Sequence, residues 1–222
     1  MGNLTVVIPS RNTFNLHACV DAVRQNDNCD IIVVWDRSRG NDGPIPIWPL
    51  PPVRVIPVND EFIFARNCNI GIKAAPPDHD VILLNDDALL RTAHGFTQMQ
   101  AALIDPQIGI VGAVTNVAGQ PLQMPHGIGL RELPFFAFVC VLIRRTTINR
   151  VGLLDERYCI DYGVEDNDYC EAVKRAGLKC AVYDHCFVDH SSLMSTYRGD
   201  PHAYRSFAQN QKLFCEKWGI TQ

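Results

Sequence analysis

The sequence predicts an α/β fold in which a mostly parallel central sheet is flanked by helices. Short, continuously apolar runs such as residues 81–84 alternate along the chain with longer segments whose apolar residues recur at helical spacing. A continuous apolar run of this length predicts a strand that is buried on both faces. Strands that alternate with helices are typical of a parallel sheet with right-handed crossovers. The 222 residues are 47% hydrophobic, which is enough for a sizeable core.

The first ninety residues contain four predicted strands and two predicted helices. In chain order these are a strand at 4–9, a helix at 14–24, strands at 30–35 and 53–57, a helix at 61–75 and a strand at 81–84. Pro9 ends the first strand and Pro76 ends the second helix, because proline lacks the backbone N–H that would continue either element. Residues 40–52 hold five prolines and two glycines, so we predict a loop there.

The rest of the chain contains three predicted strands and three predicted helices. In chain order these are a helix at 96–103, strands at 108–115 and 135–145, a helix at 165–176, a strand at 179–183 and a helix at 202–218. Residues 116–134 have no clear period, and a loop this long inside a compact domain is typical of a lid or a binding loop. We interpret Arg144 and Arg145 as the solvated end of the strand that precedes them.

Three polar residues, Asn85, Asp86 and Asp87, directly follow the predicted strand at 81–84. They must lie where the strand emerges at its carboxyl end, because burying unpaired carboxylates costs too much free energy. In open α/β sheets ligands bind at this edge. Two adjacent carboxylates suit Mg²⁺ or Mn²⁺, which in turn can hold the phosphates of a nucleotide. The alternative is an ordinary polar turn after a buried strand.

Five other titratable residues each have a structural and a functional interpretation. Glu165, Asp166 and Asp168 open a predicted helix, where the macrodipole favours acids, yet one carboxylate aimed into a cleft could act as a general base. Asp36 follows the second strand and either accepts hydrogen bonds from a ribose or a base, or belongs to a polar turn. His190 also follows an apolar pair. A lone histidine is more often structural than a ligand, although a position beside the other strand ends favours a ligand role.

The charge and hydropathy of the chain exclude some partners. The net charge is −4 at pH 7 and the pI is near 5.9, which argues against bulk nucleic acid or an anionic membrane surface, where a basic face is expected. The longest apolar run, residues 135–143, is too short to span a bilayer. Because no charged-then-apolar leader precedes the first strand, we expect a cytoplasmic chain without an integral membrane segment.

Nine cysteines are present, an odd number, and none forms a CxxC pair. Buried free thiols in a reducing compartment explain this pattern better than a disulfide framework does. One alternative is a zinc site from Cys180, His185, Cys186 and His190, although their spacing matches no common ligand pattern. No Gly-rich phosphate loop of either common type occurs, so a bound nucleotide would need a metal and strand-end polar groups to hold its phosphates.

Four stretches resemble, in the right order, the motifs of family 2 glycosyltransferases. They are Thr5-Val-Val-Ile-Pro-Ser-Arg-Asn12, Ala65-Arg-Asn-Cys-Asn-Ile-Gly71, Leu83-Leu-Asn-Asp-Asp87, and Val151-Gly-Leu-Leu-Asp-Glu156 with Gly163-Val-Glu-Asp-Asn-Asp-Tyr-Cys170, Arg175-Ala-Gly177 and His190. In the same order they are similar to the opening strand with the donor loop, the "aRNxGi" helix, the "LLNxD" version of the Asp-x-Asp motif and the "vGxfDE…EDxDlc…raG…H" tail. Each motif is short, and the resemblance spans about residues 4–192.

The resemblance implies the nucleotide-sugar-binding α/β fold called GT-A, with residues 1–222 as a single domain. Residues 1–90 would form the nucleotide-sugar-binding half, and residues 91–222 would form the acceptor half with the C-terminal helix. The implied activity is transfer of a sugar from a nucleoside-diphosphate sugar to a hydroxyl of a small molecule, a glycan or a macromolecule. The expected stereochemistry is inversion by one displacement.

The resemblance also implies roles for single residues around the donor. Asp87, with Asn85 or Asp86, would hold Mn²⁺ or Mg²⁺ on the donor diphosphate, and His190 would be a further metal ligand. Asn85 departs from the family's usual carboxylate at the first position of the motif. The implied donor-binding set comprises Pro9, Arg11, Asp36, Arg66, Asn67, Asn85 and Asp86.

The implied catalytic residues are the acid pair in the tail motif. Asp166 would be the general base that deprotonates the acceptor hydroxyl, and Glu165 would orient the acceptor or support Asp166. A second departure concerns the donor base, because the second strand ends Val-Val-Trp-Asp-Arg-Ser and Asp36 is therefore displaced by one residue from the family's aspartate.

Three other functions stay open at this point. A nucleotidyltransferase also uses strand-end carboxylates, but a Gly-rich phosphate loop would be expected near its first strand. A non-catalytic module that binds sugar nucleotides or glycans would not need both Asp87 and Asp166. A viral-type glycosyltransferase that modifies a DNA base would need a basic groove, which the acidic pI disfavours. The residues that could form such a groove are Arg131, Arg144, Arg145 and Arg198.

Overall fold

A mixed β-sheet runs through the protein, whose computed structural model describes residues 3–38, 45–48, 53–158, 163–193 and 203–220, with the side chains of 203–206 excluded. Within these residues the strands are β1 (Leu4–Ser10), β2 (Asp30–Asp36), β3 (Arg54–Val58), β4 (Asp80–Leu84), β5 (Leu89–Leu90), β6 (Ile108–Thr115), β7 (Leu130–Glu132), β8 (Cys140–Ile143) and β9 (Lys179–Asp189). Their order in the sheet is β3-β2-β1-β4-β8-β6-β9-β5, and β7 pairs with β9. The predicted α/β architecture is confirmed.

Helices cover both faces of this sheet. They are α1 (Thr13–Asn26), α2 (Phe64–Ala74), α3 (Gly95–Ala102), α4 (Arg145–Val151), α5 (Glu165–Arg175) and α6 (Ala203–Trp218). Successive residues of β1 enter different cores, since Val6 and Ile8 pack with α1 and α3 whereas Val7 packs with α2 and α5. A strand buried in this way is expected to be largely apolar, and the central residues Val6, Val7 and Ile8 are. In the described part of the chain, no helix is long and apolar enough to cross a membrane.

The N-terminal half of the sheet is parallel. β1 pairs in parallel with both β2 and β4, and β2 pairs in parallel with β3. Parallel neighbours place their carboxyl ends at the same edge of a sheet, so the ends of β1, β2 and β4 meet there. The predicted strands and helices of this half agree with the observed ones to within three residues at each end. The predicted loop at 40–52 is described only at residues 45–48.

The prediction of a strand at 135–145 is largely wrong. Only Cys140–Ile143 is a strand, and it lies antiparallel between β4 and β6. The apolar residues before it turn away to pack in the core, where the Phe136 ring lies so close to Gly112 that a Cβ there would be 2.7 Å from it. An apolar run is thus shared here between a packing turn and a strand, which periodicity cannot distinguish.

The interpretation of Arg144 and Arg145 as a solvated strand end is also wrong. Arg145 begins α4, and its guanidinium donates to the carbonyls of His79 (2.8 Å) and Pro76 (3.1 Å). Arg144 donates to the carbonyls of Leu103 and Asp105. These cations bind backbone carbonyls in the connections that follow α2 and α3, which is a common role of basic side chains.

The predicted loop at 116–134 contains two elements that its sequence did not indicate, a short 3₁₀ helix (Pro121–Gln123) and β7. Arg131 and the Asp184 carboxylate form a two-pronged ion pair, with N–O distances of 2.8 and 2.9 Å. Burial alone would raise the pKa of Asp184, but hydrogen bonds from Arg131 and from the Ile128 and His126 amides lower it to about 2. A long part of this loop is therefore held firmly against β9.

The close approach of α2 to β1 generates a stability prediction. A Cβ on Gly71 would lie 2.1 Å from Val7 Cγ1, whereas a Cβ on Gly119 would meet nothing within 4 Å. We expect Gly71→Ala to destabilise the fold by about 1–3 kcal/mol through overpacking. Gly119→Ala is the matched control and should change the free energy of unfolding by less than about 1 kcal/mol. Urea denaturation of both variants measures this, and equal stabilities would contradict the packing described.

Candidate active site

The turn after β4 lies at the carboxyl edge of the sheet. Because β1 runs parallel to β4, Ser10 lies beside the turn, and its hydroxyl donates to Asp86 Oδ2 at 2.5 Å. The backbone amide of Asn85 donates to the carbonyl of Val139, just before β8, at 3.0 Å. The Cys19 thiol of α1 donates to the Asn85 carbonyl at 3.5 Å. Three neighbouring elements thus hold the turn, and its polar residues lie outside the strand as the sequence predicts.

Asp86 is held in an environment that disfavours its charge. Burial raises the pKa of this carboxyl to about 7, and the charge of Asp87 adds to the effect. The hydrogen bond from Ser10 and the charge of Arg11 act in the opposite direction but do not cancel it. The two adjacent carboxyls therefore differ in character, and a nearby cation would be needed for both to ionise fully at neutral pH.

Asp87 and His190 come together across the sheet edge, although 103 positions separate them in the sequence. Asp87 is 5% exposed, and its Oδ1 lies 3.1 Å from His190 Nε2. The other ring nitrogen, Nδ1, lies 2.9 Å from the Val117 carbonyl oxygen. A carbonyl oxygen can only accept a hydrogen bond, so Nδ1 carries a hydrogen.

This tautomer leaves an unbalanced contact between His190 and Asp87. In a neutral imidazole with hydrogen on Nδ1, Nε2 presents a lone pair, which here faces a carboxylate oxygen. Two acceptors at 3.1 Å are stabilised only by a cation between or beside them, either a proton on Nε2 or a metal ion. A carboxylate oxygen with an imidazole nitrogen suits Mn²⁺ well, and Mg²⁺ prefers oxygen alone. Asp87 and His190 therefore fit two ligand positions of a divalent cation, and no third His, Cys, Asp or Glu side chain of the described chain converges with them.

The acid pair Glu165 and Asp166 opens α5, as the sequence predicts. The Asp166 carboxylate accepts a hydrogen bond from the backbone amide of Asn167 at 2.7 Å and another from the backbone amide of Phe138. Burial raises the pKa of Asp166 against these hydrogen bonds, and burial together with the charge of Asp166 raises the pKa of Glu165. Val164, which precedes the pair, has φ 85°, a conformation that is strained for a β-branched residue.

A two-residue segment before β8 connects the acid pair to the turn after β4. The backbone at Phe138 hydrogen-bonds Asp166, and the carbonyl of the next residue, Val139, accepts from the Asn85 amide. The backbone of residues 138–139 therefore contacts both acid groups, which places them near the same edge of the sheet.

The predicted donor-binding residues of the first two strands have structural partners. Pro9 is buried within β1 opposite Val34 of β2. Asp36 is 2% exposed, and its Oδ1 accepts from the Ser38 amide at 2.7 Å, so this carboxylate shapes the turn after β2. The Arg11 guanidinium lies 5.3 Å from the centre of the Phe62 ring. A donor role for these three residues stays a prediction.

The predicted donor-binding residues of α2 differ from one another. An Arg66 terminal nitrogen donates to the Glu61 carbonyl. Asn67 is 1% exposed, and neither polar atom of its side chain has a hydrogen-bond partner among the described residues. An amide buried without hydrogen-bond partners costs free energy, and hydrogen bonds from a ligand would offset that cost. Nothing else in the described chain explains an asparagine at this position.

Sequence reasoning missed a set of contacts that hold the acid helix. Asp168, which follows the pair, is 2% exposed and accepts from Tyr158 Oη, Lys217 Nζ and Trp218 Nε1, each at 2.8 Å. Lys217 also donates to Asp155 at 2.8 Å. Asp168 is therefore a structural acid that fastens α6 to α5. The partners lie up to 50 positions away, and no local pattern signals them.

Asn69 on α2, to which the sequence analysis gives no separate role, holds the turn before α5 in place. Its amide donates to the Leu154 carbonyl (2.8 Å) and to Glu156 Oε1 (2.9 Å), and its Oδ1 accepts from the Leu154 amide (3.0 Å). A polar amide at a position where helical spacing calls for a buried residue is the signal that could have identified it.

Two alternatives receive no support from the described residues. No three His, Cys, Asp or Glu side chains of the described chain converge as a metal-binding group, so the zinc site has none of its geometry. Arg131, Arg144 and Arg145 use their guanidinium groups on Asp184 and on backbone carbonyls, so they do not form a phosphate-binding groove. Arg198 lies outside the described residues.

Comparison with solved structures identifies the fold. The chain matches GalNAc-T7 with UDP, GalNAc and Mn²⁺ (TM-score 0.73, 13% identity, 96% of this chain and 48% of that chain). It matches the mannosyltransferase PcManGT from Pyrobaculum calidifontis with GDP-Man and Mn²⁺ (0.70, 17%, 99% and 65%). It also matches S. aureus TarS 1–349 (0.67, 13%, 97% and 64%).

These matches concern architecture rather than close relationship. No family model and no curated protein matches the sequence. The chain spans between 48% and 65% of the length of the three solved proteins. At 11–17% identity the likeness establishes the fold alone. The chain has the GT-A type of α/β fold found in these glycosyltransferases, as the motif resemblance implies.

The buried contact between Lys217 and Asp168 generates a prediction. We expect Lys217→Ala to destabilise the fold at pH 7 by about 2–3 kcal/mol, because it removes a charged hydrogen-bond donor from a buried carboxylate. Asp155 contributes too, since hydrogen bonds from Arg157 and Lys217 outweigh its burial and lower its pKa. A lowered carboxyl pKa stabilises the fold above the unfolded value and loses that effect as the pH falls, so the penalty should shrink below about pH 4.

Urea denaturation of the Lys217→Ala variant at pH 7 and pH 3 measures both effects. Lys212→Ala is the matched control on the same helix, because Lys212 is exposed and lies 3.7 Å from Glu216. Its expected cost is at most about 0.5 kcal/mol at either pH. A Lys217 variant as stable as the Lys212 variant at pH 7 would show that α6 is not fastened by this contact.

Proposed function

We propose that this protein is a metal-dependent glycosyltransferase that moves a sugar from a nucleoside-diphosphate sugar to an acceptor hydroxyl. One observation carries the proposal: the Asp87–His190 contact, which calls for a cation, lies at the same sheet edge as the raised-pKa pair of Glu165 and Asp166. The GT-A fold supports it, because solved proteins of this fold are complexed with UDP, GDP-Man or UDP-GlcNAc. GalNAc-T7 and PcManGT also carry Mn²⁺.

In this proposal Asp87 and His190 hold the divalent cation, with Asn85 or Asp86 beside it. When bound, Mn²⁺ or Mg²⁺ offsets the negative charge that develops on the leaving nucleoside diphosphate. Arg66 and Asn67 of α2, with Pro9, Arg11 and Asp36 of the first two strands, line the donor pocket. The unpartnered Asn67 amide is the most specific of these assignments, since its polar atoms would find partners on the donor.

Asp166 is the proposed general base. Its carboxylate removes the acceptor hydroxyl proton as that oxygen forms a bond to the anomeric carbon, while the bond from that carbon to the diphosphate breaks. A raised pKa makes the carboxylate a better proton acceptor at neutral pH. Glu165 orients the acceptor or supports Asp166. A single displacement of this kind inverts the anomeric centre, and in the proposed division residues 91–222 supply the acceptor half.

Donor binding is tested by thermal stability with a panel of nucleoside diphosphates, each with and without Mn²⁺. Ligand that binds the native state raises the melting temperature by mass action. We expect one nucleotide to raise it and to require Mn²⁺ for most of the effect. Asp87→Asn should remove the Mn²⁺-dependent part, and Asp78→Asn, an exposed carboxylate change far from the turn, should not. If no nucleotide shifts the wild type at millimolar concentration, the donor assignment is wrong.

The base assignment is tested by the pH dependence of kcat/KM with the donor that this panel identifies. Asp166→Asn should lower transfer by at least about 100-fold and leave donor binding intact. Burial and the charge of Asp166 raise the pKa of Glu165 to about 8, so Glu165→Gln should remove any limb of the pH profile near that pH and leave the limb set by Asp166 in place. Glu171→Gln, a surface change on the same helix, should leave the profile unchanged. Donor binding without any transfer would indicate a binding module instead.

A further inference from the structure

Two chain segments meet at His190, and one side chain ties them together. The Oδ1 atom of Asn116, directly after β6, accepts from the His190 backbone amide at 2.9 Å. Its Nδ2 donates to Asp189 Oδ1 at 2.9 Å and to Ser191 Oγ at 2.8 Å. A single amide therefore contacts three consecutive residues, and His190 is the middle one.

The residue after Asn116 contacts the imidazole ring itself. The Val117 carbonyl accepts from His190 Nδ1 at 2.9 Å, which determines the tautomer and directs Nε2 toward Asp87 Oδ1 at 3.1 Å. The Asn116 side chain and the Val117 carbonyl thus hold both the backbone and the ring of His190. We call these two groups the histidine clamp.

The clamp is separate from the packing of the core. Asn116 is exposed, whereas the side chain of His190 is 12% exposed and that of Asp189 is 13% exposed. Asp189 keeps other partners, because the amide and hydroxyl of Ser191 each donate to it at 3.0 Å. Loss of the Asn116 side chain would therefore leave the fold largely intact and release mainly the orientation of His190.

We infer that Asn116 is a positioning residue for the metal site and acts through His190. This inference rests on the proposed function, because it gives His190 the role of a cation ligand. Groups that orient a metal-binding histidine typically change metal affinity by about 10–100-fold. Here the Val117 carbonyl holds the second ring nitrogen, and Asn116 holds the backbone of the same histidine. The clamp also connects the segment at 116–134 to the cation, since Val117 opens that segment.

The test compares Mn²⁺ binding by wild type, Asn116→Ala and Gln123→Ala, each with UDP and, in parallel, with GDP. Gln123 is a matched control because its buried amide also ties the segment at 116–134 to the sheet, donating to the Ala113 carbonyl of β6 at 3.3 Å, and none of its hydrogen bonds within the described residues reaches His190. Free Mn²⁺ is measured by electron paramagnetic resonance, and echo-modulation spectra report nitrogen bound to the ion. Thermal melting without metal monitors the fold.

We expect Asn116→Ala to weaken Mn²⁺ binding by about tenfold and to reduce the nitrogen modulation, with little change in the metal-free melting temperature. Gln123→Ala should melt earlier yet keep the affinity and the modulation. Unchanged affinity and modulation in Asn116→Ala, or an equal loss in Gln123→Ala, would overturn the inference and leave the proposed function standing. Absence of nitrogen modulation in the wild type, with the nucleotide and Mn²⁺ both bound, would instead remove His190 from the metal site and the inference with it.

Discussion

The antiparallel insertion of β8 between β4 and β6 is the constraint on which the candidate site depends. β4 ends in the turn with the strand-end carboxylates, and β8 enters the sheet beside it from the opposite direction. The residues just before β8 therefore lie at the carboxyl edge of β4. The carbonyl of one of them, Val139, accepts from the backbone amide of Asn85, and the backbone amide of its neighbour Phe138 donates to Asp166. Without this reversal, the two acid groups would have no common neighbour in the described chain.

The site contains several features that cost stability. Two carboxyls with raised pKa values, Asp86 and Asp166, are held in places that disfavour their charge. Asn67 is buried without described partners, and Val164 has a left-handed backbone conformation that costs a β-branched residue about 1–2 kcal/mol. Unfavourable features of this kind persist where the surrounding structure enforces them, and they concentrate at functional sites.

The surrounding structure supplies that enforcement through buried ionic contacts at some distance from the acids. Lys217 joins α6 to Asp168, one turn into the acid helix, and Arg131 joins the long segment before β8 to Asp184 on β9. Both carboxylates are also hydrogen-bonded to other donors, which is the condition under which a buried ion pair stabilises a fold. Asp168 and Asp184 are well hydrogen-bonded, and their contacts offset part of the free energy that the unfavourable environments of Asp86 and Asp166 cost.

Sequence reasoning predicted the parallel half of the sheet well, because strands buried on both faces must be apolar throughout and proline or polar residues end them. It located Asp86, Asp87 and Asp166 at the starts or ends of elements for the same reason. It did not predict that residues 136–139 turn into the core, since an apolar run has the same appearance in a strand and in a packing turn. It could not pair Arg131 with Asp184 or Lys217 with Asp168, because such contacts depend on tertiary structure.

The two acid groups illustrate how environment rather than residue type separates their chemistry. Asp87 faces an imidazole lone pair and so calls for a cation, whereas burial raises the pKa of Asp166, against hydrogen bonds from backbone amides, and so favours a proton there. Carboxyls placed in contrasting surroundings take complementary roles, one as an electrostatic ligand and one as an acid or base. In this protein the contrast follows from two features, the Val117 carbonyl on His190 and the burial of Asp166. A description limited to the residues that would touch the substrates would omit both.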